Sequence, residues 1–258
     1  MFLGSNSPEI PIHTIILFIL AVIFAATLIR SALGFGEALI AVPLLAFVVP
    51  VRVAAPLAVL VSITIAAIIV AQDWRHIHVR STGWLLLSTL FGTPLGLLLL
   101  VYGSEHLIKA VLGSLILLFA LFCLVGNTRF HLQHDSRPLL LICGFFAGIL
   151  GGAYGMNGPP LAIYGSMRRW SAQHFRATLQ AYFLPASMLG MFGYLSAGLW
   201  TREVTHDYLI SLPAIIPAVL LGRIINRRLS TEAFSKYIYG TLAAIGLALL
   251  VQSFGRNL

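Results

Sequence analysis

Thirteen residues near the middle of the chain, Gly148-Ile-Leu-Gly-Gly-Ala-Tyr-Gly-Met-Asn-Gly-Pro-Pro160, hold five Gly and two Pro within an otherwise apolar region. In a helix interior Gly costs about 1 kcal/mol and Pro about 3 relative to Ala. Where no water can satisfy freed N–H and C=O groups, broken backbone survives only if it is buried in protein or lines a wet cavity. About 120 residues earlier, Leu33-Gly-Phe-Gly-Glu-Ala38 has the character of a partner run.

Composition says which solvent the chain meets. It is 59% hydrophobic and only 9% charged, with a mean hydropathy of +0.95, whereas soluble domains carry roughly 25% charged residues. Long Leu/Ile/Val/Ala runs, without alternating strands, predict an all-α polytopic membrane protein and not a β-barrel. Residues 1–29 lack a basic leader and read as a retained first helix. The net charge of +8 is what cytoplasmic loops between apolar spans require, so no nucleic-acid partner is expected. Cys123 and Cys143 both lie in apolar runs and imply neither a disulfide framework nor a metal motif.

Ten segments follow from the apolar runs: Pro11–Ile29, Glu37–Val49, Val53–Ala71, Thr82–Val101, Leu107–Val125, Leu139–Leu150, Pro160–Met167, Ala177–Leu199, Tyr208–Ile225 and Phe234–Phe254. The fourth is expected to break near Gly92-Thr-Pro94-Leu-Gly96. The second and seventh are too short to cross a core of about 30 Å as straight helices. The polar stretch around 127–138 reads as a linker between an N-terminal repeat (1–126) and a C-terminal repeat (139–258), together forming one membrane domain.

The halves share spaced identities. Gly34 aligns with Gly155, Ala55 with Ala177, and Glu105/Lys109/Gly113 with Glu232/Lys236/Gly240. An odd number of segments per repeat predicts inverted repeats. With ten crossings and an external N-terminus, 12 of the 16 basic residues face inward, Arg30 among them; with eight crossings the number falls to 10. The positive-inside rule therefore favours ten.

Paired broken segments in a duplicated membrane protein point to a transport site. Helix starts beyond the breaks would aim backbone N–H groups and positive dipole ends at a shared gap, holding an anion without any buried cation. The residues expected there are Gly34, Gly36, Glu37, Gly155, Asn157, Gly158, Pro159, Arg176 and Gln180, with Tyr154 as a further donor. The competing explanation, that small residues only permit close helix packing, suits Gly144-x3-Gly148 better than a run containing Asn157 and Pro159-Pro160.

Glu37 is open to two assignments: a proton carrier, or a structural charge at the helix start paired with Arg30. Ser62 and Thr64 are expected to bond back to their own helix carbonyls. Arg52 is expected to snorkel at the membrane boundary. His76-x-His78 and His131-x2-His134 lack supporting ligands, so no metal and no cofactor are expected.

The run Leu33-Gly-Phe-Gly-Glu-Ala-Leu-Ile-Ala-Val-Pro43, with Ala54-Ala-Pro-Leu-Ala58, resembles the first half-signature of the TauE/SafE sulfite-exporter family. Gly148–Pro160 with Arg176-Ala-Thr178 resembles the second. The resemblance covers essentially the whole chain. It implies transport of small organosulfur or other oxyanions, such as sulfite, sulfonates or sulfoacetate-like compounds, across the inner (plasma) membrane; with no phosphate-binding loop or nucleotide fingerprint in the sequence, secondary transport is expected. The expected partners are a small anion and the bilayer; a coupled proton and a homo-oligomer are left open. The alternative from another class is an intramembrane lipid-modifying enzyme, which needs acidic or nucleophilic groups converging near one membrane face. Its candidates are Glu9, Asp73, Glu203 and Asp207.

Overall fold

The computed structural model describes residues 12–73, 79–125, 132, 136–168, 172–228 and 231–255. Among them it contains ten α-helices and no strand: α1 (Ile12–Leu33), α2 (Glu37–Leu45), α3 (Val51–Asp73), α4 (Val79–Tyr102), α5 (Glu105–Val125), α6 (Arg137–Tyr154), α7 (Gly158–Met167), α8 (Ala172–Ser196), α9 (Arg202–Arg228) and α10 (Thr231–Gly255). Six of these (α1, α3, α4, α5, α6 and α9) contain described stretches long and apolar enough to cross a membrane. Large apolar side chains such as Leu17, Phe91, Leu118 and Phe192 point outward, each about two-thirds exposed. A soluble fold would bury such groups; here they form a lipid-facing coat. The chain is a multi-pass helical membrane protein.

One end of the bundle gathers many helix termini. Arg52, at the start of α3, donates to the carbonyls of Leu100, Val101 and Gly103 at the end of α4. The Val51 amide donates to Glu105 at the start of α5. Tyr154, closing α6, donates to the Ile108 carbonyl, and Tyr194, near the end of α8, to the Gly151 carbonyl. Ser253, near the end of α10, meets His106. α9 starts at this end too, a short connection after α8. Near its opposite end, Gly222 packs against Leu28 and Ser31 of α1. So α1 finishes far from where α3 begins, and the α2 segment carries the chain back. The α7 segment does the same between α6 and α8.

Several helix limits recur at one fixed offset. α1 and α6 end at Leu33 and Tyr154, α2 and α7 start at Glu37 and Gly158, and α3 and α8 start at Val51 and Ala172; each pair is 121 residues apart. Packing follows the same exchange. α4 lies on α6 as α9 lies on α1, α2 on α1 as α7 on α6, while α3 pairs with α8 and α5 with α10. α1 and α6 run in opposite senses. This arrangement is consistent with inverted repeats.

Two expectations about breaks are corrected. α4 runs unbroken through Gly92, Pro94 and Gly96. Its glycines are spent on contact: a Cβ at Gly92 would strike the Phe145 carbonyl, and one at Gly96 the Ile149 carbonyl. From the other side, Gly144 faces Leu85 and Ser88, Gly148 faces Thr89, and Gly152 faces Thr93. Backbone-to-backbone packing of small residues thus offsets the helix penalty. α6 also extends to Tyr154, so Gly151 and Gly152 are helical and the second break narrows to Gly155–Asn157. The Gly-rich run therefore serves two purposes. Gly148 and Gly152 seat α6 on α4, while Gly151 packs against the Asn157 amide.

Candidate anion site

Both breaks turn through left-handed backbone. Gly34 and Gly36 have φ of 88° and 100°, and Gly155 has φ of 68°, conformations that glycine adopts without steric cost. The breaks converge. Gly36, Glu37, Gly155, Asn157, Gly158 and Pro159 line one cavity, together with Arg30, Ser62 and Phe183. Ala38, Leu39 and Met156 complete its lining. The cavity is about 20 Å³, room for about one water, so the site is closed around its own side chains.

Arg30 reaches the cavity between the two breaks. It leaves the last turn of α1 and is only 2% exposed. Its Nη1 donates to Glu37 Oε2 at 2.7 Å and to Ser62 Oγ. Its Nη2 donates to Gln180 Oε1 at 2.9 Å, and Gln180 Nε2 donates onward to the Gly34 carbonyl at 2.8 Å. The guanidinium carbon lies 5.0 Å from the centre of the Phe183 ring, within cation–π range. One carboxylate, two polar side chains and an aromatic face thus compensate a charge that is costly at membrane depth.

The compensation is incomplete. Arg30 Nε and Glu37 Oε1 are both buried without a hydrogen-bond partner. An unmet donor and an unmet acceptor beside one small cavity are costly to leave there unless a ligand or water meets them.

The expectation of an anion site without a buried cation is therefore overturned. Arg30 was assigned to the inner surface because it ends an apolar run. A charge four residues ahead of a glycine break, still inside the helix, was the available signal. Moving it off the surface leaves 11 inward basic residues against 4, so the orientation argument keeps its sign. Of the two assignments for Glu37, the ion pair is present; Gly36, not Glu37, is the N-cap of α2.

The two helix starts are unequal. α2 presents free amides at Glu37, Ala38 and Leu39, whereas Pro159 and Pro160 remove two donors from the first turn of α7. The second half instead contributes the Asn157 side chain, which also hydrogen-bonds the Tyr182 hydroxyl. At the 121-residue offset, Arg30 corresponds to Gly151 and Glu37 to Gly158. Both charges of the pair thus come from the first repeat.

Other expected residues sort out as follows. The backbone of Arg176 lies in α8 one turn before Gln180; its side chain falls outside the described residues. Tyr154 turns away from the cavity to Ile108. Arg52 acts as a cap on the carbonyl end of α4. Thr64 bonds back to the Leu60 carbonyl, as expected. Ser62 does not; it meets Arg30 and Ser187. His76, His78, His131 and His134 lie outside the described residues, as do Glu9 and the Asp73 side chain. Glu203 and Asp207 sit on the first two turns of α9, and Asp207 faces His206 at 3.2 Å. Among described residues no three metal-ligating groups cluster.

A protein-family profile described as Sulfite exporter TauE/SafE matches residues 19–249. The chain is also similar to a "Probable sulfite/organosulfonate exporter TauE" of Cupriavidus necator, with 24% identity over 238 residues, covering 90% of this chain and 93% of the relative. No solved structure matches it significantly. With two helix breaks folded around a buried arginine and a profile match spanning all ten helices, the chain belongs to the TauE/SafE sulfite exporter family.

Proposed function

We propose that this protein is a secondary transporter that moves a small organosulfur or related oxyanion outward across the inner membrane, together with a proton carried on Glu37. The observation that carries this reading is the Arg30–Glu37 pair between the two helix breaks, with one unmet donor and one unmet acceptor at the cavity.

Glu37 is a built-in anion on Arg30. An incoming sulfite or sulfonate competes for the same guanidinium. Two negative charges on one buried cation repel strongly where the dielectric is low. Protonation of Glu37 removes that repulsion and frees Arg30 for the substrate, whose remaining oxygens meet the α2 amides and Asn157. Gln180 and Ser62 hold the guanidinium in place during the swap. Rocking of the repeats 1–126 and 139–258 about the breaks, joined through 127–138, then exposes the site to either side.

The test is anion flux in proteoliposomes across pH. Wild-type flux is expected to rise as pH falls. Glu37→Gln, which mimics the protonated state, is expected to retain flux and lose most of that slope. A variant with the full wild-type pH dependence would rule out the proton role. The cluster that would favour the lipid-modifying enzyme, Asp73 with His76 and His78, lies outside the described side chains, while Glu203 and Asp207 share the start of α9.

A further inference from the structure

A second cavity adjoins the polar one and differs from it in size and chemistry. It occupies about 400 Å³ between α2, α5, α6 and α7, and its walls are almost entirely carbon, with Phe119, Phe146 and Leu150 among them. An apolar cavity of roughly 150 Å³ accepts benzene, so this one has room for a larger apolar group. Three residues, Leu39, Met156 and Pro159, line both cavities. One layer of side chains therefore separates the buried guanidinium from the apolar chamber. Met156 belongs to that layer and sits directly after Gly155 in the second break. Methionine is flexible and refills irregular space easily, so a small turn of the break moves the partition.

We propose that the two cavities form one amphiphilic site, in which the sulfonate or carboxylate head of an organic anion sits on Arg30 and its apolar tail enters the chamber. This rests on the anion-site reading above and narrows it: the preferred substrates are organic anions with an apolar tail, and inorganic sulfite uses only half of the site. The shared wall argues for a substrate tail. The competing occupant is a lipid acyl chain, because the rim residues Leu118 and Phe146 are 66% and 54% exposed on the lipid-facing surface. A lipid chain in the chamber would be indifferent to the charge on Arg30.

The experiment is a binding series of n-alkanesulfonates, from methanesulfonate to hexanesulfonate, with the full-length protein in nanodiscs. Uncharged n-alkanols of the same lengths run in parallel. In the wild type, affinity is expected to rise roughly three- to fourfold per CH₂. Leu115→Trp, which fills the chamber from α5, is expected to flatten that rise and leave methanesulfonate binding unchanged. Ile142→Phe at the half-exposed rim provides a second filling variant if the first does not fold. A flat wild-type series, or a slope undiminished in the filling variants, would overturn the proposal while leaving the head-group site intact. Equal slopes for alkanols and alkanesulfonates, unaffected by Arg30→Gln, would assign the chamber to lipid and also overturn it. If no alkanesulfonate binds at all, the anion-site reading fails and this inference fails with it.

Discussion

Arg30→Gln is expected to reduce anion flux at least about 25-fold and to destabilise the protein by about 3–5 kcal/mol, the usual cost of breaking a buried ion pair from one side. Both effects have the same origin. Without the guanidinium, Glu37 is buried with no cation to neutralise it, and Ser62 and Gln180 lose the donor they share. The substrate loses a charge-assisted contact whose removal costs 2 to 5 kcal/mol or more in comparable buried pairs, at ~1.4 kcal/mol per factor of ten. Loss of flux alone would not separate binding from folding. The double variant Arg30→Met/Glu37→Leu does, because replacing both charges with apolar groups of similar volume is commonly neutral or stabilising. It is expected to purify and melt like the wild type, yet carry no anion. Flux in the double variant would remove Arg30 from the mechanism.

Gly148→Leu is expected to eliminate folded protein by a different route. A Cβ at Gly148 would meet the Thr89 carbonyl oxygen at 2.5 Å and the Gly92 Cα at 3.0 Å, both on α4. Thr89 is itself fixed, its hydroxyl bonded to the Gly144 carbonyl at 2.9 Å and to Tyr182 at 2.7 Å. Neither helix can retreat without opening the contacts at Gly92, Gly96, Gly144 and Gly152 in the same seam. Overpacking of an accommodating core costs about 1–3 kcal/mol, and a locked backbone contact sits beyond that range. The readout is the monodisperse peak in size-exclusion chromatography, expected to vanish. Gly83→Leu on α4 is the control: a Cβ there meets nothing within 4 Å, and the peak should persist.

The helices and both breaks were legible in the sequence for a physical reason. Glycine and proline are expensive inside an apolar helix, so a cluster of them marks a constraint, and a matched pair of clusters marks a repeated one. That cost can be repaid in two currencies, and composition does not say which. Gly155 repays it with a left-handed turn at the cavity. Gly92 and Gly96 repay it with close packing, so the break expected in α4 is absent. Arg30 was missed because charge counting treats a cation at the end of an apolar run as part of a loop. Its partner Ser62 lies 32 residues away with no local pattern to announce it; Gln180, 150 residues away, was expected near the second break but not as a partner of Arg30. Ser62 and Thr64 look alike in sequence. Only the arrival of α1 beside α3 turns one of them from its own helix toward a buried charge.

In the proposed mechanism each bound anion displaces Glu37 from Arg30 and brings one proton with it, and that stoichiometry can be counted directly. Ethanesulfonate, whose charge does not change near neutral pH, can be titrated into weakly buffered purified protein while proton uptake is recorded. The expected result is close to one proton taken up per anion bound in the wild type and close to none in Glu37→Gln, with binding retained in both. Wild-type binding without proton uptake, or the same uptake in Glu37→Gln, would contradict the exchange of Glu37 for substrate on Arg30.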